Sequence, residues 1–122
     1  MIFEIDSESG EAYYIQLRNQ IILHIATSAL RKGDTLPSVR QMADRIGINM
    51  HTVNKAYAVL REEGFLSIDR RGSVIVVNED HARALRMLRE DLEIALARAK
   101  ARGISQTEIH RMADEILNHY TE

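Results

Sequence analysis

Residues 36–66, LPSVRQMADRIGINMHTVNKAYAVLREEGFL, decide how this chain folds. Apolar side chains fall at Val39, Met42, Ala43 and Ile46, and again at Val53, Ala56, Tyr57 and Leu60. That i, i+3, i+4, i+7 spacing gives each of two consecutive helices one dry face. Pro37 stops whatever precedes it, and Ser38 with Gln41 three residues later makes a capping box for the first helix. Asn49 is a good N-cap for the second. Only residues 45–48 remain between them, so the turn is tight and Gly47 is expected to take a positive φ. This is the spacing of a helix-turn-helix, whose second helix offers an exposed polar face that suits a DNA groove.

On the C-terminal side, Glu63 and Gly64 close the second helix, and Phe65, Leu66 and Ile68 begin a strand. Asp69-Arg70-Arg71-Gly72 reads as a turn, and the β-branched run from Ser73 to Val77 as the returning strand. A β-hairpin directly after a helix-turn-helix is the wing of a winged-helix domain, here with Arg70 and Arg71 at its tip. On the N-terminal side, Tyr14, Leu17, Ile21 and Ile25, with Ile22, Ala26 and Ala29 alongside, predict a long scaffold helix from about Ala12 to Leu30. Arg31, Lys32, Gly33 and Asp34 are expected to end it, with Gly33 at the C-cap and the two cations at the negative end of the helix dipole. Ile2, Phe3 and Ile5 alternate with Glu4 and Asp6, which suits a short extended arm packed on the domain.

Beyond the wing, Asn78, Glu79 and Asp80 offer caps for a fresh helix, and composition shifts to Leu, Ala, Arg and Glu. Leu85, Leu88, Leu92, Leu96 and Ala99 form an apolar seam. Gly103 ends that helix. Ser105 with Glu108 is a second capping box, and Ile109, Met112, Ala113, Ile116, Leu117 and Tyr120 mark a final amphipathic helix. Residues 80–122 are thus expected to form a helical hairpin whose two stripes a single partner only half covers. A symmetric copy is the commonest second surface, so Leu85, Leu88, Leu92, Leu96, Ile109, Met112, Ile116 and Tyr120 are the expected dimerisation residues. The other arrangement is a tail folded back on its own winged-helix core. The fold class expected is mainly α with a small β wing: a winged helix-turn-helix domain over residues 1–79, then a two-helix C-terminal dimerisation hairpin over residues 80–122.

Composition narrows the function. At 122 residues the chain can bury a modest core. With 45% hydrophobic and 28% charged residues it reads as an ordinary soluble globular protein. It has no cysteine, so disulfides, thiolate metal sites and thiol nucleophiles are excluded. No long apolar run suggests a membrane span, and the acidic start MIFEIDSESGE does not have the order of a signal peptide, so a cytoplasmic protein is expected. The net charge of −2 argues against a strong nucleic-acid binder, but residues 31–72 hold eight Lys and Arg against five Asp and Glu, a local positive excess.

A recognition helix enters the major groove with its N-terminal residues toward base edges. Here the polar face shows Met50, His51, Asn54, Lys55 and Ala58. Asn can bond adenine in bidentate fashion, Met and Thr can touch a thymine methyl, and His can meet a base edge or a phosphate. Arg40, in the first turn of the preceding helix, is spaced to reach a phosphate or a guanine. Lys55 and Arg61 suit phosphates or plain solvent, and Arg70 and Arg71 can lie along a minor groove or the backbone. Of the five histidines, His24 lies near the apolar stripe of the first helix and is expected at the core or its rim. His110 and Asp114 could share a metal with His81 or His119, but no HExxH-type motif or close cluster supports it, and neither a metal nor a cofactor is expected. Without a Gly-rich phosphate loop or a recognisable catalytic set, an enzyme is not expected either.

The run Tyr14-Ile15-Gln16-Leu17, Leu36-Pro37-Ser38-Val39-Arg40, Gly47-Ile48-Asn49, Thr52-Val53, Ala56-Tyr57, Leu60 and Glu63-Gly64-Phe65-Leu66 resembles the GntR family of bacterial transcription regulators across residues 12–77. The two-helix tail is similar in length and helix count to the YtrA subfamily, whose members mostly repress transporter operons and dimerise through that tail. The resemblance implies DNA contacts from the LPSxR motif, here Ser38 and Arg40. It implies them also from the recognition-helix start at Asn49, Met50, His51 and Thr52, from Asn54, and from the wing at Gly72. The chain departs from the family at several points. Met50 and Asn54 stand where many members have Arg, so those guanine contacts do not carry over. Ala12 replaces a frequent Pro, and Arg71-Gly72-Ser73-Val74 replaces a Gly-x-Gly wing.

The expectation is therefore a sequence-specific regulator of transcription, a repressor, that binds palindromic double-stranded operator DNA as a homodimer, with a transporter operon as the target the resemblance implies and with no membrane partner. A tail of two helices cannot alone enclose a ligand cavity, so any small-molecule effector would sit between subunits or between the two parts of one subunit. The rival is a winged-helix protein-interaction module that meets a protein groove instead of DNA, which the near-neutral net charge would suit.

Overall fold

Gly47 and the two caps around it set the geometry of the helix pair. The computed structural model describes residues 2–76 and 80–120. Its elements are α1 (Tyr13–Ala26), α2 (Val39–Ile46), α3 (Met50–Glu62), β1 (Leu66–Asp69), β2 (Gly72–Ile75), α4 (His81–Ala101) and α5 (Gln106–Tyr120). The Ser38 hydroxyl accepts from the Gln41 N–H at 3.1 Å while the Gln41 side chain accepts from the Ser38 N–H at 3.1 Å, so the expected capping box opens α2. Gly47 closes α2 at φ +72°, and a Cβ there would meet nothing within 4 Å. The demand for glycine is one of backbone conformation, not of space. Two residues on, Asn49 Oδ1 accepts from the His51 N–H at 2.7 Å and starts α3.

The chain divides into two compact units, Met1–Val77 and Asn78–Glu122. In the first, the dry faces of α1 and α3 pack on each other, and Leu17, Ile21, Met42, Val53, Ala56, Tyr57 and Leu60 are buried together. Fully burying a side chain of this size stabilises by roughly 1.5–3 kcal/mol. Tyr57 carries a polar atom into this core, and its hydroxyl donates to the Pro37 carbonyl at 2.8 Å. Burial pushes the phenol well above its usual pKa, with nearby Arg45 opposing. The bond ties the middle of α3 to the entry of α2. Phe3 joins the core from the N-terminal arm and Ile5 packs at its edge, while Ile2 points outward. Polar side chains of α1 hold the arm as well: Gln16 accepts from the Asp6 N–H at 2.8 Å and donates to the Asp6 and Glu11 carbonyls, and Gln20 accepts from the Glu4 N–H at 2.9 Å. His24 is partly buried as expected, its ring 4.9 Å from that of Phe3.

α1 ends four residues earlier than its periodicity predicts. The Thr27 hydroxyl turns back to the Leu23 carbonyl at 2.9 Å, and Ser28 adopts φ +63°, which no helix continues. Leu30 is nevertheless buried, because the chain folds its side chain into the same core after the helix has stopped. Gly33, expected as the C-cap, instead donates its N–H to the Ile75 carbonyl at 2.9 Å, and Arg31 and Lys32 lie beyond the dipole they were expected to complement.

The wing is an antiparallel pair with Leu66 opposite Ile75 and Asp69 opposite Gly72. Beside β2 runs a short bridged segment that the sequence did not reveal. Thr35 bridges Val74, the Leu36 N–H donates to the Ser73 carbonyl at 2.9 Å, and the Ile75 N–H donates to the Asp34 carbonyl at 2.8 Å. Val77, and the expected caps Asn78 and Glu79, lie outside the described residues.

In the second unit, the Asp80 carboxylate accepts from the Arg83 N–H at 3.0 Å at the start of α4. Ser105 and Glu108 form the expected second capping box, the Glu108 N–H donating to the Ser105 hydroxyl at 3.1 Å and Glu108 Oε1 accepting from the Ser105 N–H at 3.3 Å. The expected hairpin is corrected in one respect. α4 and α5 do not pack side by side along their length, and neither has a buried residue among those described. Leu96 lines a small pocket with Ile104 and Ile109 at the turn between the helices, while Leu85, Leu88 and Leu92 are left exposed. No helix among the described residues is long and apolar enough to cross a membrane.

Candidate nucleic-acid interface

α3 has two unlike sides. Val53, Ala56, Tyr57 and Leu60 are buried, whereas Met50, His51, Asn54, Lys55 and Ala58 are exposed, Met50 at 44%. Thr52 is half-buried between the two faces. The helix therefore turns a continuous polar strip outward from its first turn to its middle. The positive dipole end of the helix lies at the same end as that strip.

Asn49 is exposed, but its Oδ1 is engaged by the His51 N–H. One lone pair of that oxygen is thus spent on capping and its orientation is fixed by the cap, which makes Asn49 a less adaptable base reader than Asn54. Ser38 is exposed and likewise occupied in capping. Arg40, in the first turn of α2, is exposed. At the wing tip, Arg70 is exposed, while Arg71 closes back on Asp69 with an N–O distance of 2.8 Å. That hydrogen bond holds the Asp69 carboxyl below its ordinary range. Gly72, at φ +108°, lets the chain turn there. The two wing cations are thus not equivalent: one is committed within the turn and one extends from it.

Lys55 has a partner that sequence reasoning missed. Its ammonium stands 4.1 Å from the centre of the Tyr14 ring on α1. Tyr14 is half-buried against the core, so its ring is held in place. The sequence carried only a faint signal, because Tyr14 reads as one more member of the α1 stripe and nothing local pairs it with α3. The residues weighed for metal binding, His81, His110, Asp114 and His119, do not come together. Among the described residues no group of three His, Cys, Asp or Glu could hold an ion.

The sequence matches the family model described as "Bacterial regulatory proteins, gntR family" over residues 13–76, more than half of the chain. The chain belongs to the GntR family. The HTH-type transcriptional repressor YtrA of Bacillus subtilis (strain 168) is 31% identical to it over 119 residues, 94% of this chain and 92% of that protein. Among solved structures, YtrA from Sulfolobus acidocaldarius, a GntR-family transcription factor, is 42% identical, covers 80% of this chain and 99% of its own, and has a TM-score of 0.67. A transcriptional antiterminator from Listeria monocytogenes EGD-e superposes on all of this chain and 94% of its own, with a TM-score of 0.85 at 27% identity. This GntR-family chain is thus a winged-helix, DNA-binding regulator of transcription, and its family and relatives are regulators, not enzymes.

Proposed function

We propose that the protein is a homodimeric repressor that binds a palindromic operator, with residues 1–79 as the DNA-binding part and residues 80–122 as the dimerisation part. One observation carries this reading: the outward polar strip of α3, opposite a fully buried apolar face. Each copy places the start of α3 in a major groove, the two grooves about one helical turn or a multiple of it apart. Asn54 pairs with adenine, Met50 and Thr52 meet thymine methyls, and His51 reaches a base edge or phosphate. Ser38, Arg40, Asn49 and Lys55 hold the backbone, and Arg70, with Arg71 and Gly72 shaping the tip, follows the adjacent minor groove.

The dimer forms through Leu85, Leu88, Leu92, Leu96, Ile109, Met112, Ile116 and Tyr120. Support for it lies in the apolar seam of α4, whose leucines line an open groove and are left exposed within one chain. Repression follows from occlusion of a promoter, with release on binding a small effector or partner. A transporter operon is the target that the resemblance to YtrA-type regulators implies.

A test begins with duplexes selected by the protein from random DNA, followed by anisotropy titrations at two salt concentrations. Selected duplexes should share an inverted repeat, and affinity should fall steeply with salt as several phosphates are neutralised. A flat salt dependence, or selection without any shared sequence, would overturn the reading.

A further inference from the structure

Tyr14 and Lys55 belong to different helices, yet they meet at the rim of an open groove of ≈570 Å³ lined by Ala12, Tyr13, Tyr14, His51, Thr52 and Lys55. The groove borders the exposed strip of α3 at the end where that helix begins. Lys55 is itself exposed, so its contact with the ring is not a consequence of being buried. A free lysine on a helix surface samples many rotamers. This one has its ammonium 4.1 Å over an aromatic face that the core packing of α1 holds still. A ring attracts a cation through its quadrupole and accepts no N–H in the manner of a carboxylate. The N–H donors of the ammonium therefore remain available on the groove side.

From this geometry we infer that Tyr14 is a positioning residue for DNA binding: it holds the Lys55 ammonium in the groove beside α3, where that ammonium binds a backbone phosphate of the operator. The inference rests on the DNA-bound reading of α3 and adds to it a residue, Tyr14, that touches no base. Lys55 then contributes affinity without sequence preference, and the ring removes part of the conformational freedom that a flexible lysine would lose on binding. An ion pair with Asp or Glu at this position would have cancelled the charge that a phosphate needs. The ring orients the charge and leaves it intact.

The test uses the full chain and two duplexes, one selected by the wild-type protein and one unrelated. Lys55→Gln should weaken binding to both by the same factor and lower the salt slope by about one phosphate's worth, the signature of a backbone contact. Tyr14→Phe keeps the ring and should bind within about twofold of wild type, whereas Tyr14→Leu should lose about three- to fivefold, the scale of an exposed cation–π contact. In the Lys55→Gln background, Tyr14→Leu should cost nothing further. An equal loss from Tyr14→Leu with or without Lys55 would show that the ring acts through the fold and would overturn the inference, as would an unchanged salt slope in Lys55→Gln. Failure of the wild-type protein to select any duplex would instead sink the DNA-bound reading of α3, so the two failures are told apart.

Discussion

Leu60 and Leu92 are the same side chain on two amphipathic helices, yet Leu60 is 0% exposed and Leu92 is 43% exposed. Leu60 is covered because α1, α2 and the wing close around α3 within one chain. Leu92 belongs to a seam that its own neighbour, α5, does not cover. The first unit thus draws its stability from contacts internal to the chain, and that stability should not depend on protein concentration. Helices of 21 and 15 residues with no buried side chain are marginal in water when isolated. The second unit should therefore be most ordered when a second copy is present, and its apparent stability should rise with concentration.

The largest effect expected is that of Leu92→Arg, which places a charge in the seam. Sedimentation should show the dimer lost, and specific DNA binding lost with it, while the melting of the first unit is unchanged. A variant that still sediments as a dimer would place the interface away from α4. Leu60→Ala is the counterpart in the first unit and should cost about 2–5 kcal/mol in denaturant melts, by the same amount at every protein concentration. If the cost varied with concentration, the contrast between the two units would collapse.

Arg40→Ala sharpens the comparison from the side of function. It should weaken operator binding by about 1–3 kcal/mol and leave melting within error, since its side chain is exposed. The matched capping boxes separate the units more finely. Ser38→Ala should destabilise the first unit by about 1 kcal/mol by freeing the Gln41 N–H. The smallest effect is expected at Glu108. Hydrogen bonds from Ser105 hold its carboxyl below the usual glutamate range. A carboxyl whose folded pKa is depressed adds stability above its unfolded value and loses it as pH falls through the folded one. The start of α5 should accordingly loosen from the ordinary glutamate range downward, and NMR titration of Glu108 should move to higher pH in Ser105→Ala.

Much of this was legible in the sequence because local chemistry fixed it. Ser38, Gln41, Gly47 and Asn49 mark the ends of α2 and α3 by short-range hydrogen bonds and one left-handed residue, which need no knowledge of the rest of the chain. The end of α1 was not legible. Ala29 and Leu30 continue its apolar period, and Leu30 is indeed buried, but periodicity cannot distinguish a helix that continues from a turn that delivers the same side chain to the core. The bridge from Thr35 to Val74 was not legible either, because so short a segment ahead of Pro37 shows no alternation. Among the candidate DNA contacts, the strip on α3 followed from helical spacing. The pairing of Arg71 with Asp69, the use of Asn49 in capping and the seat of Lys55 on Tyr14 depend on distances that spacing does not encode. The seam of α4 was visible as a stripe, but its failure to meet α5 was not, since a stripe says only that something apolar is wanted.

The backbone of residues 33–36 is laced to β2, through Gly33 to Ile75, Asp34 to Ile75 and Leu36 to Ser73. The peptide that launches α2 and the one that follows Arg70 thereby share a single ladder. The span between the returning strand and the entry of α2 is gauged by main-chain hydrogen bonds, so the exposed side chains of α3 can be exchanged without resetting the calliper. Substitutions at Met50, His51 or Asn54 change what is grasped and leave the width of the bite alone.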